Sequence, residues 1–117
     1  MNKFVEVANI NELDDGNMLM LDIKGHEILV AKVGDNYYSV DNRCPHMGGN
    51  LSKGNLEGTI ITCPRHHSQF DLTDGHVVKW TDFTGLKLIG AKILKSPRPL
   101  KTHQVKLEDE KIWVMIE

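Results

Sequence analysis

Short apolar-rich runs, some of them alternating with polar residues at a period of two, recur along most of this chain between glycine, asparagine and aspartate. That pattern predicts an all-β protein, because successive side chains of a strand point to opposite faces and turn residues interrupt the runs. Lys3 to Ala8 reads as an edge strand, and Ile10 to Gly16 as a helical turn closed by glycine. Asn17 to Lys24 and Glu27 to Val33 form a predicted hairpin hinged at Gly25-His26. Gly34-Asp35-Asn36 makes the next turn, and Tyr37 to Val40 follows it. Farther on, Thr59 to Thr62 is a short β-branched run, and Gln69 to Leu72 pairs with His76 to Trp80 across Thr73-Asp74-Gly75. Gln104 to Leu107 and Lys111 to Ile116 close the domain around Glu108-Asp109-Glu110. Residues 80 to 96 fit neither period and read as irregular chain around a helical turn.

Length and charge narrow the function. The chain has 117 residues, enough for one domain with a real core, and no repeat or second domain is visible. No run approaches the roughly 18 apolar residues of a membrane helix. Residues 1–6 form no export signal, so the expected location is cytoplasmic and no membrane contact is expected. Fourteen basic against 16 acidic residues leave a net charge of −2 without a basic stripe, which argues against nucleic acid as a partner.

The chemistry sits in two short segments. Cys44-Pro45-His46 and Cys63-Pro64-Arg65-His66 each follow a predicted strand and each offer one thiol and one imidazole; they contain both cysteines of the chain. Two sulfur and two nitrogen donors suit a mixed-ligand 2Fe-2S cluster or a structural zinc. Zinc fingers usually present a cysteine pair and then a histidine pair, so one of each per segment favours the cluster. Charge gives the mixed set its meaning. Four thiolates leave an oxidised 2Fe-2S core dianionic, whereas two thiolates and two neutral imidazoles leave it uncharged and easier to reduce.

With their surroundings, Cys44-Pro45-His46-Met47-Gly48-Gly49-Asn50-Leu51 and Cys63-Pro64-Arg65-His66-His67-Ser68-Gln69-Phe70-Asp71 resemble the Rieske motif pair, and the chain resembles the small Rieske-type ferredoxins. The resemblance implies an antiparallel Rieske fold over residues 1–117, with a base sandwich or barrel and a small cluster-binding part at about 42–75. It implies that Cys44 and Cys63 hold an inner iron, and His46 and His66 an outer one. Leu51 and Met47 would shield the cluster. Gly48-Gly49, with no strand and helix around it to make a phosphate loop, reads as a pair that lets backbone amides approach the cluster sulfurs. The segment from Ser96 through Pro97 to Leu100 is the candidate covering loop.

Departures from the motif carry information. Met47 and Arg65 stand where respiratory Rieske subunits have two further cysteines, so the ligand loops are expected to be held by packing alone. His67 replaces a common glycine and is strained if its φ is positive. Ser68 occupies the place of a donor to a bridging sulfide, while Phe70 replaces a second donor, which predicts a potential between the family extremes. His26, His76 and His103 read as surface or turn residues, and Trp80 and Trp113 as packing. The expected function is one-electron transfer between redox partners, a reductase and an oxygenase or other acceptor, with docking on the loop tips. An accessory subunit of a reductase, such as assimilatory nitrite reductase, is the alternative. Catalysis by the chain itself is not expected, since His103 is the sole histidine after Trp80.

Overall fold

A computed structural model describes residues 3–45, 48–65, 67–80 and 98–116. Eleven strands among them form three antiparallel sheets. The outer sheet contains β1 (Lys3–Asn9), β10 (Val105–Glu108) and β11 (Lys111–Ile116), in the order β1-β11-β10. In the middle sheet, β2 (Met18–Ile23), β3 (His26–Val33), β4 (Asn36–Asp41) and β9 (Thr102–His103) run in that order. The third sheet is β5 (Asn55–Glu57), β6 (Ile60–Thr62), β7 (Gln69–Asp71) and β8 (Val77–Lys79).

Strand β3 explains how the layers are joined. Its run Ile28-Leu29-Val30-Ala31 is buried throughout, as expected of a strand covered on both faces. Ile28 and Val30 enter one core with Leu13, Ile112 and Val114, on the outer-sheet side. Leu29 and Ala31 enter another with Val40, Leu51, Ile61, Phe70, Leu72, Trp80, Leu100 and both cysteines. The middle sheet thus separates a plain hydrophobic core from one that contains the thiols.

The run pattern located nine of these eleven strands, the short β6, β7 and β8 among them, and missed two. Strands β5 and β9 were not expected; β5 has one apolar residue and β9 has two residues in all. The β2–β3 hinge is Lys24-Gly25 rather than Gly25-His26. Both hinge residues have positive φ, 53° and 86°, as a two-residue turn matching strand twist requires. His103 is not a surface residue: its side chain is 8% exposed, and Nε2 lies 2.8 Å from Asp41 Oδ1. The expected irregular stretch, 80–96, falls outside the described residues beyond Trp80.

Candidate metal centre

Strand β4 delivers Cys44 and strand β6 delivers Cys63, and the two loops that follow share one backbone design. The Cys44 N–H donates to Gly49 O at 2.8 Å, while the Gly48 N–H donates back to Cys44 O at 2.8 Å. In the second loop the Cys63 N–H donates to Ser68 O at 2.8 Å, and the His67 N–H to Cys63 O at 3.1 Å. Each cysteine therefore bonds to the residues four and five places on, and the residue four places on is left-handed in both loops. Gly48 has φ 71° and His67 has φ 60°. Glycine adopts that region freely, whereas histidine does so at a cost. The expected strain at His67 is present. His67→Gly is expected to raise stability by about 1 kcal/mol, read as a higher midpoint in thermal unfolding.

Both thiols are buried, Cys44 at 3% and Cys63 at 1% exposure, and no disulfide joins them. The loops face one another through Gly49, also buried. A Cβ at that position would lie 2.5 Å from Cys63 Sγ and 3.4 Å from Arg65 Cβ. Glycine is what allows the first loop to lie flat against the second thiol. Among the described residues the loops are thus joined by packing, Gly49 against Cys63 and Arg65. Leu51 and Phe70, both fully buried, close the space behind the thiols.

Polar side chains fix the first loop to the base. Asn42 is fully buried: its Nδ2 donates to Asn50 Oδ1 at 2.9 Å, and its Oδ1 accepts the Ser52 N–H at 2.9 Å. The Asn42 carbonyl accepts the Leu51 N–H, so one residue spans the loop mouth. Arg43 reaches sideways, with Nε and Nη2 forming a forked ion pair to Glu27 at 2.7 and 3.0 Å. Its Nη1 donates to Gly48 O at 3.3 Å. That guanidinium holds the Glu27 carboxyl below its usual value, chiefly through the side-chain hydrogen bond, and Glu27 raises Arg43 in return.

Two other carboxyls are lowered, Asp71 first by the Thr73 hydroxyl and Asp74 first by the His76 backbone N–H. A carboxyl lowered in the folded state contributes stability that is complete above its unfolded value and is lost as pH falls through the folded one. The thermal midpoint is therefore expected to hold steady from pH 7 to about 5 and to drop below about 4. Glu27→Gln should flatten part of that drop in a pH series of unfolding curves.

Ser68 departs from expectation. It is fully buried beside Cys63, and its Oγ donates to the carbonyl of Trp80. A hydroxyl has one proton to give, so the structure spends on a backbone oxygen the donor expected to face a sulfide. Phe70 adds none and meets the Trp80 ring edge-on, centroids 6.4 Å apart. Ser68→Ala is accordingly expected to leave the reduction potential nearly unchanged and to cost about 1 kcal/mol through the lost hydrogen bond. Voltammetry and thermal unfolding of one sample check both halves; a fallen potential at unchanged stability would return the hydroxyl to the sulfide.

His46, Met47, His66 and Pro97 lie outside the described residues. Of the candidate covering loop, Arg98 and Pro99 are exposed. Leu100 is buried in the core of the thiols, its N–H donating to Gly75 O at 2.8 Å. Two buried thiols in paired loops, with a glycine flush against one sulfur, fit the donor set of a 2Fe-2S cluster. Sequence reasoning expected a close backbone approach to sulfur at Gly48-Gly49 but did not find Asn42, Arg43 or Arg65 as its neighbours, because each depends on a residue brought close only by folding.

Comparisons with known proteins agree with this geometry. The family described as "Rieske [2Fe-2S] domain" matches residues 3–90. The ferredoxin component of the naphthalene 1,2-dioxygenase system of Pseudomonas putida is 28% identical over 112 residues, covering 96% of this chain and 94% of that one. The ferredoxin component of the alkene monooxygenase system of Xanthobacter autotrophicus is 29% identical, covering 84% of each. Among solved structures, the ferredoxin of carbazole 1,9a-dioxygenase from Nocardioides aromaticivorans IC177 superposes with a TM-score of 0.76 at 26% identity, covering 96% of both chains.

Proposed function

The chain belongs to the Rieske 2Fe-2S domain family, and on that premise we propose that it is a one-electron carrier passing electrons from a reductase to an oxygenase. The observation that carries this reading is the pair of matched loops with two buried thiols, closed against each other at Gly49. Similarity over nearly full length to ferredoxin components of oxygenase systems supports it. In this reading residues 1–117 form one domain that is not itself a catalyst and works in the cytoplasm.

Cys44 and Cys63 would hold one iron, and His46 and His66 the other. When bound, the cluster takes up and releases single electrons at a potential within about −150 to +300 mV. The chain's own residues set the conditions. Leu51, Phe70, Leu72 and Trp80 keep water from the thiol side. Asn42 and the Arg43–Glu27 pair hold the first loop to the middle sheet, so that little rearrangement accompanies each electron. The partner docks on the loop tips around His46 and His66, with Pro45, Met47 and Pro64 as a small apolar rim suited to rapid exchange.

Anaerobic reconstitution followed by iron and acid-labile sulfide assay and electron paramagnetic resonance tests the proposal. The expected result is a coloured protein whose reduced form gives the signal of a mixed-ligand ferric–ferrous pair. A colourless protein that retains zinc would overturn it.

A further inference from the structure

We propose that Glu27, acting through Arg43, is a positioning residue for electron transfer: it cancels the Arg43 charge at the first ligand loop and thereby sets the reduction potential. The proposal rests on the electron-carrier reading and adds to it a residue outside both ligand segments. Arg43 immediately precedes Cys44, and its Nη1 donates to Gly48 O at 3.3 Å. Gly48 is bonded in turn to the first thiol's residue, its N–H donating to Cys44 O, and Gly49 after it lies against Cys63 Sγ. A full positive charge is therefore held on the stretch of backbone that joins the two thiol loops. Glu27, on β3, meets that charge from the other side. Its two carboxylate oxygens lie 2.7 and 3.0 Å from Arg43 Nε and Nη2, across 16 residues of sequence.

The sign of the effect follows from Coulomb's law. An electron arriving between the thiol loops brings negative charge, and a lone cation beside them would favour its arrival. A cation paired to a carboxylate favours it far less, because at distances beyond their separation the two charges nearly cancel. The forked bond also fixes the guanidinium plane, and with it the direction of the bond to Gly48. His26 and Asp41 line the same small cleft as the pair. Asp41 is engaged by His103 Nε2, and the charge that acts on Glu27 is that of Arg43, as the charge that acts on Arg43 is that of Glu27. The pair is thus an electrostatic unit of its own. Its side chains are 54% and 28% exposed, Arg43 and Glu27 respectively, so water and salt weaken its field without removing it.

Protein-film voltammetry of the reconstituted holoprotein reads the effect. Glu27→Gln leaves an oxygen for Arg43 to bond and removes the charge, so the midpoint potential is expected to rise. The rise is about two- to fivefold in the one-electron equilibrium constant, or about 20 to 40 mV at roughly 59 mV per tenfold, in dilute salt, and shrinks in concentrated salt. Arg43→Gln leaves Glu27 unpaired and should lower the potential, and the double variant should return close to the unaltered value. Glu6→Gln, which breaks the Lys111–Glu6 pair of the outer sheet, makes the same change in net charge and should leave the potential in place. A pair that served structure alone would shift both single variants in one direction, and that result overturns the proposal. So does a Glu27→Gln potential that stays where it was, or one that Glu6→Gln reproduces. If Arg43→Gln takes up no iron, the comparison of Glu27→Gln with Glu6→Gln decides by itself. A second readout needs no cluster: thermal midpoints of the apoproteins should be non-additive, the double variant losing less than the two single losses together. Additive losses would show that the side chains do not act on one another, and would overturn the proposal as well. An unaltered holoprotein without a reversible one-electron wave strikes the electron-carrier reading instead and removes the role of Glu27 with it. A normal wave with an unmoved Glu27→Gln potential leaves the carrier standing and discards Glu27.

Discussion

Gly49→Ala is expected to yield protein that folds but does not retain iron. The added methyl would start 2.5 Å from Cys63 Sγ and 3.4 Å from Arg65 Cβ, so the sulfur or the whole first loop must move. Neither can do so cheaply. Cys63 is fixed by backbone bonds on both sides, to Ser68 and His67, and the first loop by Asn42 and Arg43. Overpacking of this kind costs about 1–3 kcal/mol, and ligand thiols displaced from their geometry lose metal affinity more steeply than the fold loses stability. The neighbouring Gly48→Ala is the control. A Cβ there meets nothing within 4 Å, so only its φ of 71° is penalised, by about 1–2 kcal/mol. Iron per protein after reconstitution should stay near the unaltered value for Gly48→Ala and fall close to zero for Gly49→Ala. Equal iron in both variants would show that the loops do not need this close approach.

His66→Cys is expected to lower the midpoint potential by a few hundred millivolts in protein that assembles a cluster. The neutral imidazole proposed to hold one iron is exchanged for a thiolate, and the added negative charge opposes the incoming electron in a low-dielectric setting. Moving from the mixed-ligand range towards the value near −400 mV of all-thiolate plant-type centres gives the scale. Protein-film voltammetry measures it directly. A potential that stays in place would mean that His66 is not a ligand, and attention would shift to His67 beside it.

How much of this could be read from the chain differs by residue. The paired Cys-Pro motifs sit in the sequence with type, order and spacing intact, and the apolar-rich runs of β2, β3, β4 and β11 pointed to their strands. The shared bond pattern of the two loops was foreshadowed only by the glycine-like position of His67. What escaped was tertiary. Arg43 meets Glu27 across 16 residues, His103 meets Asp41 across 62, and Ser68 gives its proton to Trp80, 12 residues on. No local propensity encodes such pairs, since each forms only when separate strands have been laid side by side. For the same reason Asn42 reads in sequence as an ordinary turn asparagine, although it bridges both ends of a loop from a fully buried position.

Strand β3 lends alternate side chains to two cores at once. Melting of either half would strip one face of β3 and leave its apolar residues in water, so the two halves lose their structure as one cooperative unit. A defect at the ligand loops is therefore felt at the far hairpin. Calorimetry of the protein is expected to record a single transition, whose temperature reports on the end with the thiols and on the opposite end alike.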